Sequence, residues 1–331
     1  MHNEASLNHN TPQGRLPWGW LGASAVCLLL AALPWFTDFS TQRLMVEVFT
    51  VFAIAMAWNL LAGFGGLVVV GQYVFVGVGA YTLFYLSNHF GLNPWWTLPI
   101  AALVSALFAV MTAWPMFRLS GAHFAVVTWV VAELMRIGVL NTDALGAGGG
   151  MPLEGLSEFS RSARNAGVYW AALGVGVLAM LLSRTLLKSR LGLALTSVRD
   201  GEDAARACGV PVQRAKLMLW VATAALTGTA GAVAYMNTLQ VSPDASFGLS
   251  WTATAIFIAV LGGIGYLEGP FLGTLAYFAL REWGAAYGTW YFIVLGLLAI
   301  LTMIAAPGGA WSLVLRRWPS LDPFSVRRLV P

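Results

Sequence analysis

An all-α bundle of about ten membrane-spanning helices, with both termini in the cytoplasm, is the fold class that this sequence predicts. Three observations predict it. Of 331 residues, 58% are hydrophobic and only 10% charged, whereas an average soluble domain carries about a quarter charged residues. The apolar residues fall into separate runs near the length that crosses a hydrocarbon core, about 20 residues. The basic residues, finally, lie mostly on one side of those runs. With 18 Phe, 15 Trp and 9 Tyr the chain is too aromatic to be disordered.

The elements follow in order. Residues 1–17 are polar and form an N-terminal tail. The run 18–36 is uncharged, and Thr37-Asp38-Phe39-Ser40 offers no small-residue cleavage site, so a first span is expected rather than a removed signal peptide. Further runs lie at 44–61, 67–86, 95–117, 124–140, 168–187, 217–239, 249–261, 271–287 and 290–306. Ten spans return the chain to the side on which it began. With the N-terminus inside, the inner segments hold Arg15, Arg118, Lys188, Arg190, Arg199, Arg206, Arg214, Lys216, Arg316, Arg317, Arg327 and Arg328, and the outer ones only Arg43, Arg161 and Arg164. That asymmetry is the positive-inside signature, and it orients the bundle N-in and C-in.

Two connections are long. The outer loop 141–167 contains Leu145-Gly-Ala-Gly-Gly-Gly-Met-Pro152, too glycine-rich for a helix and expected to be flexible or re-entrant. The inner loop 188–216 carries six of the eighteen basic residues. Within it, residues 199–211 read as one short helix. Asp200 is a candidate N-cap, Glu202 and Asp203 suit the positive first turn, and Arg206 can pair with Glu202. Gly209 supplies a left-handed stop and Pro211 blocks continuation. The centre, Ala204-Ala205-Arg206-Ala207-Cys208, is built mainly of small residues that let another surface approach closely. A plain solvated loop helix is the alternative.

Asp203-Ala-Ala-Arg-Ala-Cys-Gly209 resembles the EAA-x-x-x-G loop of ABC-importer permeases, with Asp in place of Glu. The resemblance extends to Trp58-Asn-Leu-Leu-Ala-Gly-Phe-Gly-Gly66, Gly77-Val-Gly-Ala-Tyr81, Ala132-Glu-Leu-Met-Arg136, Leu191-Gly-Leu-Ala-Leu-Thr-Ser-Val-Arg-Asp200 and Val260-Leu-Gly-Gly-Ile-Gly265. On these motifs the chain is similar to the branched-chain amino acid permeases of the LivH/LivM family over roughly residues 44–311. The resemblance implies a permease domain at 18–311, followed by a cytoplasmic tail at 312–331. Asp203, Ala204, Ala205, Arg206 and Gly209 would then form the coupling helix that docks on an ATPase. It also implies the partners: a second homologous permease, two ATP-binding cassette subunits and a periplasmic substrate-binding protein, assembled in the lipid bilayer of the inner membrane. Two stretches depart from the family pattern, Gly146-Ala-Gly-Gly-Gly150 and Thr128-Trp-Val-Val-Ala132, and both lie where substrate passage would be tuned.

Other chemistry is excluded by residue type. A phosphate-binding loop needs a Gly-Lys pair, and the only lysines, Lys188 and Lys216, follow Leu187 and Ala215. ATP hydrolysis is therefore expected on another polypeptide, and the chain is not expected to be an enzyme. Cys27, Cys208 and the four histidines have no partners at metal-ligand spacing, so no metal or cofactor is expected. A net charge of +4 is too small and scattered for nucleic acid. Ionisable groups inside spans are costly unless paired. Glu133 and Arg136, three residues apart, can pair on the fifth span or serve the translocation path. Gln72 has the same two readings, an interhelical hydrogen bond or a path-lining group. Arg281 and Glu282 cannot share a helical face, so one of them needs a partner elsewhere. Gly265, Gly269 and Gly273 form a small-residue ridge for close helix packing.

The expected function is the permease subunit of an importer for leucine, isoleucine and valine, working by alternating access. Urea, amides and aromatic acids are the alternative cargoes. A stand-alone secondary transporter or channel is the alternative class, and Glu133 would be its coupling carboxylate. The topology is testable with a reporter active only in the cytoplasm. Fusions after Arg199 and Arg317 should be active and a fusion at Ser157 silent; activity at Ser157 would overturn the ten-span arrangement.

Overall fold

The computed structural model describes residues 26–156, 160–284, 290–305 and 308–317. The N-terminal tail, residues 18–25 of the first expected span, Ser157, the ends of the ninth and tenth expected spans and residues 318–331 lie outside the described residues.

Each expected run corresponds to a helix. They are α1 (Val26–Trp35), α2 (Phe39–Asn59), α3 (Tyr73–Phe90), α4 (Pro94–Met116), α5 (Gly121–Leu140) and α6 (Arg161–Lys188). After the short helices α7 (Arg190–Asp200) and α8 (Glu202–Ala207) come α9 (Val212–Thr238), the single turn α10 (Pro243–Ser246), α11 (Ser250–Gly262), α12 (Gly269–Gly284), α13 (Trp290–Ala305) and α14 (Gly309–Arg317). By length and composition, six helical segments among the described residues can each cross a membrane, and a bent pair formed from α13 and α14 makes up to seven. The fold is an all-α polytopic bundle whose only sheet, among the described residues, is a two-residue pairing. In it β1 (Met151–Pro152) runs antiparallel to β2 (Gln240–Val241), with Met151 opposite Val241.

Apolar composition here serves two surroundings. The core holds α2, α3 and α9, whose Ile54, Phe75, Leu83 and Trp220 are fully buried. The rings of Phe75, Phe117 and Phe124 stand 5.2, 6.4 and 6.2 Å from Trp220, gathering α3, α5 and α9 around it. By contrast Leu103, Leu107, Met111 and Trp114 on α4 point outward, as a lipid-facing helix requires. Close approach depends on glycine. A Cβ on Gly79 of α3 would lie 1.9 Å from the carbonyl oxygen of Gly228 on α9, so only glycine fits that crossing.

The expected glycine ridge is corrected in part. Gly265 is not on a helix; it sits in the turn before α12 with φ +81°, a left-handed conformation that favours glycine. Gly269 and Gly273 do face a neighbour. A Cβ on Gly269 would lie 2.4 Å from the carbonyl oxygen of Gly263, and one on Gly273 2.0 Å from that of Ile258, so the ridge packs α12 against α11. The turns Gly63–Gly66 and Gly262–Gly265 meet each other: Asn59 Oδ1 accepts from Gly265 N at 2.9 Å, and Asn59 Nδ2 donates to Tyr266 O at 2.8 Å.

The glycine-rich loop expected on the outer side is folded rather than loose. Two 3-10 turns, Asp143–Leu145 and Ala147–Gly149, lead into β1. Asn88 at the end of α3 then holds the loop, donating to Pro152 O at 2.7 Å and accepting from Glu154 N at 3.2 Å.

The third expected span is broken, and this feature organises the site. A π turn (Leu60–Phe64) extends α2, giving a 26-residue helical stretch about 39 Å long. The chain then doubles back without helix through residues 65–72 before α3 begins. Trp58 Nε1 donates to Val69 O at 2.9 Å and Gln72 Nε2 to Ile54 O at 3.2 Å, so the stretch climbs beside α2. Ile54 is ten residues from Phe64, about 15 Å, which carries Gln72 deep into the bundle. Irregular backbone at membrane depth survives only where protein or water satisfies it. Val68 in this stretch is 54% exposed. In a bilayer nanodisc, with Cys27 and Cys208 changed to Ser, Val68→Cys should react with a polar maleimide. Leu103→Cys, also apolar and even more exposed on α4, should not; equal protection of both would place Val68 in lipid.

Candidate functional site

Two places hold the residues singled out from the sequence. The first is the connection from α7 to α9. Ser189 caps α7 by accepting from Leu191 N at 3.1 Å, and the helix runs through Asp200. Asp200 is therefore the last residue of α7 and not the N-cap of the next helix; Gly201 takes that place, and α8 is the six-residue segment Glu202–Ala207. The expected single helix over 199–211 is thus two helices meeting at Gly201. Gly209 is left-handed at φ +81°, and its N–H donates to Arg206 O at 3.0 Å, as the stop signal predicts.

The small residues of α8 divide between two directions. Ala205 is buried and packs with Val198 of α7 and Val212 of α9. Asp203, Ala204, Arg206, Ala207 and Cys208 are exposed. The outward face of α8 and its stop thus carries Asp203, Ala204, Arg206, Ala207 and Cys208, while Ala205 faces its own chain. Glu202 supports that anchor with both carboxylate oxygens: Arg206 Nη2 donates to Oε1 at 3.0 Å and Lys216 Nζ to Oε2 at 2.5 Å. The Lys216 side chain is only 8% exposed, so this contact ties α8 firmly to α9. Arg199 makes the third link, donating from Nη1 to Gly63 O at 2.5 Å, the carbonyl inside the π turn.

The second place is the broken span and α5. Gln72 is buried, and besides Ile54 O its Nε2 reaches Thr227 Oγ1 of α9 at 2.9 Å, the interhelical bond that one reading of it expects. Thr128 of α5 serves the irregular backbone. Its Oγ1 accepts from Val70 N at 3.3 Å and Gly71 N at 3.2 Å, while Thr252 Oγ1 of α11 accepts from Tyr73 N at 3.2 Å. A Cβ on Gly71 would lie 1.8 Å from Thr128 O, so α5 can seat here only over glycine. Thr128 marks the start of a stretch that departs from the family pattern, and its hydroxyl now has a structural role.

Glu133 and Arg136 do pair: Arg136 Nε and Nη2 donate to Glu133 Oε1 at 2.9 and 2.5 Å. Sequence reasoning misses their third member. Arg136 Nη1 donates to Asp244 Oδ1 of α10 at 2.6 Å, across 108 positions of sequence. Arg281 likewise finds its partner far away, in Glu47 of α2, with Nη2 to Oε2 at 3.0 Å and Nη1 on Oε1. No sequence signal pairs residues so distant; only the chemical need for a partner was visible.

Arg136 holds two carboxylates, so its removal should hurt more than removal of either one. Arg136→Met leaves Glu133 and Asp244 facing each other uncompensated, whereas Glu133→Gln leaves Arg136 on Asp244. All three groups are partly exposed, so each carboxylate variant should cost about 1 kcal/mol or less. Thermal unfolding in detergent should rank Arg136→Met below Glu133→Gln and Asp244→Asn; equal loss for all three would show that the triad does not act as a unit.

Residues 40–306 match the family described as the branched-chain amino acid transport system permease component. The chain is 32% identical to the high-affinity branched-chain amino acid transport system permease protein LivM of Escherichia coli K12, over 86% of this chain and 73% of that protein. It is 22% identical to the probable branched-chain amino acid transport permease protein LivH of Methanocaldococcus jannaschii, over 70% and 79% of the two chains. It is 28% identical to the autoinducer 2 import system permease protein LsrC of Enterobacter sp. 638, over 74% and 72%. No solved structure matches.

Proposed function

The chain belongs to the family of branched-chain amino acid transport permeases, and we propose that it is the membrane subunit of an ATP-driven importer of leucine, isoleucine and valine. The relatives named as branched-chain permeases support that cargo over urea, amides or aromatic acids. The proposed assembly contains a second homologous permease, two ATP-binding cassette subunits and a periplasmic substrate-binding protein. The chain would cross the inner membrane ten times with both termini inside, residues 18–311 forming the permease domain between two cytoplasmic tails. ATP chemistry would reside on the cassette subunits.

The observation that carries this reading is the build of α8. It is a six-residue helix that presents Asp203, Ala204, Arg206 and Ala207 outward. A merely solvated loop helix would need no buried lysine to hold it, yet Lys216 and the Val198–Ala205–Val212 cluster fix α8 to α9 and α7. A push on α8 then reaches the membrane by two routes. One runs along α9, whose 27 residues pack against α2, α3, α4 and α6. The other runs through Arg199 to Gly63, where the π turn already interrupts regular helix and can absorb rotation. In this mechanism ATP-driven closure of the cassettes shifts α8 and alternates the access of a path bordered by α5 and the irregular stretch 65–72. Gln72, Glu133 and Arg136 would hold the walls of that path. The occupation of Glu133 by Arg136 speaks against its use as a proton-coupling carboxylate.

Ala204→Arg tests the docking role. Ala204 is exposed, so the variant should insert and accumulate normally, yet lose co-purifying ATPases and at least about tenfold of uptake, the effect of a lost 1.4 kcal/mol at the contact. Ala205→Arg should instead lower the amount of folded chain, because it forces a charge into the α7–α9 packing. Full uptake by Ala204→Arg with ATPases bound would reduce α8 to a connecting turn.

A further inference from the structure

The three arginines expected on the outer side gather at one corner of the bundle. Arg43 of α2 and Arg161 and Arg164 of α6 stand near the starts of those helices, at the end opposite α8. The Arg161 guanidinium lies over the ring of Phe39, 5.6 Å from its centre. Phe39 and Arg43 are four residues apart on α2, and Arg161 and Arg164 three apart on α6, so each pair shares a helical face. The four side chains therefore make one patch, in which Arg43 and Arg161 are exposed and Arg164 half-buried. Among the described residues, none of the three arginines forms an ion pair. Glu47, one turn beyond Arg43, is taken by Arg281. Three cations without a counter-charge repel one another, and on the outer side they run against the positive-inside rule.

The surroundings of the patch indicate the anion that fits it. Trp35 and Phe36 at the end of α1 and Trp170 of α6 are exposed, and the rings of Trp35 and Trp170 lie 5.6 Å apart. Trp170 Nε1 donates to Ala31 O at 3.1 Å, which ties α1 against α6. Trp170 is six residues beyond Arg164, about 9 Å deeper along the helix. Amphipathic rings concentrate at the headgroup level of a bilayer. Deeper still, Leu28 and Leu29 of α1 and Leu178 and Leu181 of α6 are exposed, an apolar wall suited to acyl chains. We propose that this corner binds the phosphate of an anionic phospholipid, with Arg43, Arg161 and Arg164 as donors and its acyl chains along α1 and α6. Arg161 offers the face of its guanidinium to Phe39 and keeps its N–H edge for phosphate oxygens. A zwitterionic lipid brings its own ammonium to its phosphate and so gains less from the three cations. An acidic protein surface would match the charges but leave the leucine wall unused. The site depends neither on the cargo nor on α8.

The test uses the full chain in phosphatidylcholine nanodiscs, with Cys27 and Cys208 changed to Ser and a fluorophore on Ser162→Cys, beside Arg161. A small fraction of phosphatidylglycerol or of phosphatidylcholine is added, each carrying the same spin-labelled acyl chain, which quenches the fluorophore on contact. With the native arginines, the anionic lipid should quench at a mole fraction roughly fivefold lower or less, the gain expected from even one basic residue beside an anionic headgroup. Changing all three arginines to Gln should bring the two lipids level. Arg43→Gln alone should lose part of the preference, and it decides the matter if the triple variant fails to fold. Arg118→Gln, which alters an exposed arginine at the other end of the bundle, should keep the preference. Equal quenching by the two lipids with the native arginines overturns the proposal, as does a preference that survives in both the single and the triple variant. Inorganic phosphate at matched ionic strength should leave the preference unchanged; if it abolishes the preference, the corner holds a soluble anion and the lipid proposal fails. A triple variant that keeps the lipid preference but no longer binds a soluble partner with an acidic surface would make the corner a protein-docking face instead.

Discussion

Everything in this bundle is arranged around one constraint: backbone that leaves the helix inside a membrane must find its hydrogen bonds within the protein or in water. Among the described residues, the chain leaves the helix between Phe64 and Tyr73 and then commits four other elements to satisfying the break. Trp58 of α2 covers Val69 O, Thr128 of α5 takes the N–H groups of Val70 and Gly71, Thr252 of α11 takes that of Tyr73, and Thr227 of α9 holds Gln72. A continuous third helix would have needed none of these. The break therefore fixes how α2, α5, α9 and α11 meet around α3. It also explains why Gly71 tolerates no side chain against Thr128.

In the proposed mechanism, the same break would give the molecule something to move. Arg199 grips Gly63 at its base, and Arg199 belongs to α7, which packs with α8 on α9. A displacement at α8 thus meets a long rigid helix on one side and an interrupted one on the other. In the proposed mechanism the rigid helix would transmit the push and the interruption would yield. At the opposite end the ion pairs Arg136–Asp244 and Arg281–Glu47 tie α5 to α10 and α12 to α2, so the helices are cross-linked there by charges that polar surroundings can exchange.

Much of the fold was legible in sequence because hydrocarbon and protein interior make the same demand for apolar side chains. Each apolar run therefore became a helix whether it faces lipid, as α4 does, or lies in the core, as α3 does. Ends were less legible. Asp200 has the chemistry of an N-cap, but Ser189 caps a preceding helix that runs on through Asp200, so the cap position passed to Gly201. The direction of Ala205 was invisible too, since the face that a six-residue helix buries is set by what it docks on rather than by its own period. Gly265 shared the four-residue spacing of Gly269 and Gly273, yet spacing cannot reveal that the helix starts only at Gly269. Pairing needs were readable for Arg136 and Arg281, but their distant partners Asp244 and Glu47 were not.

In the proposed coupling, ATP hydrolysis on the cassette subunits acts through α8 to drive inward movement of a branched-chain amino acid. This coupling is tested most directly in proteoliposomes holding this chain with its ATPases, a second permease and a leucine-loaded binding protein outside. Uptake of leucine should require ATP inside and persist when proton and sodium gradients are collapsed. Uptake that continues without ATP and stops when those gradients are collapsed would contradict the claim and make the chain a gradient-driven transporter.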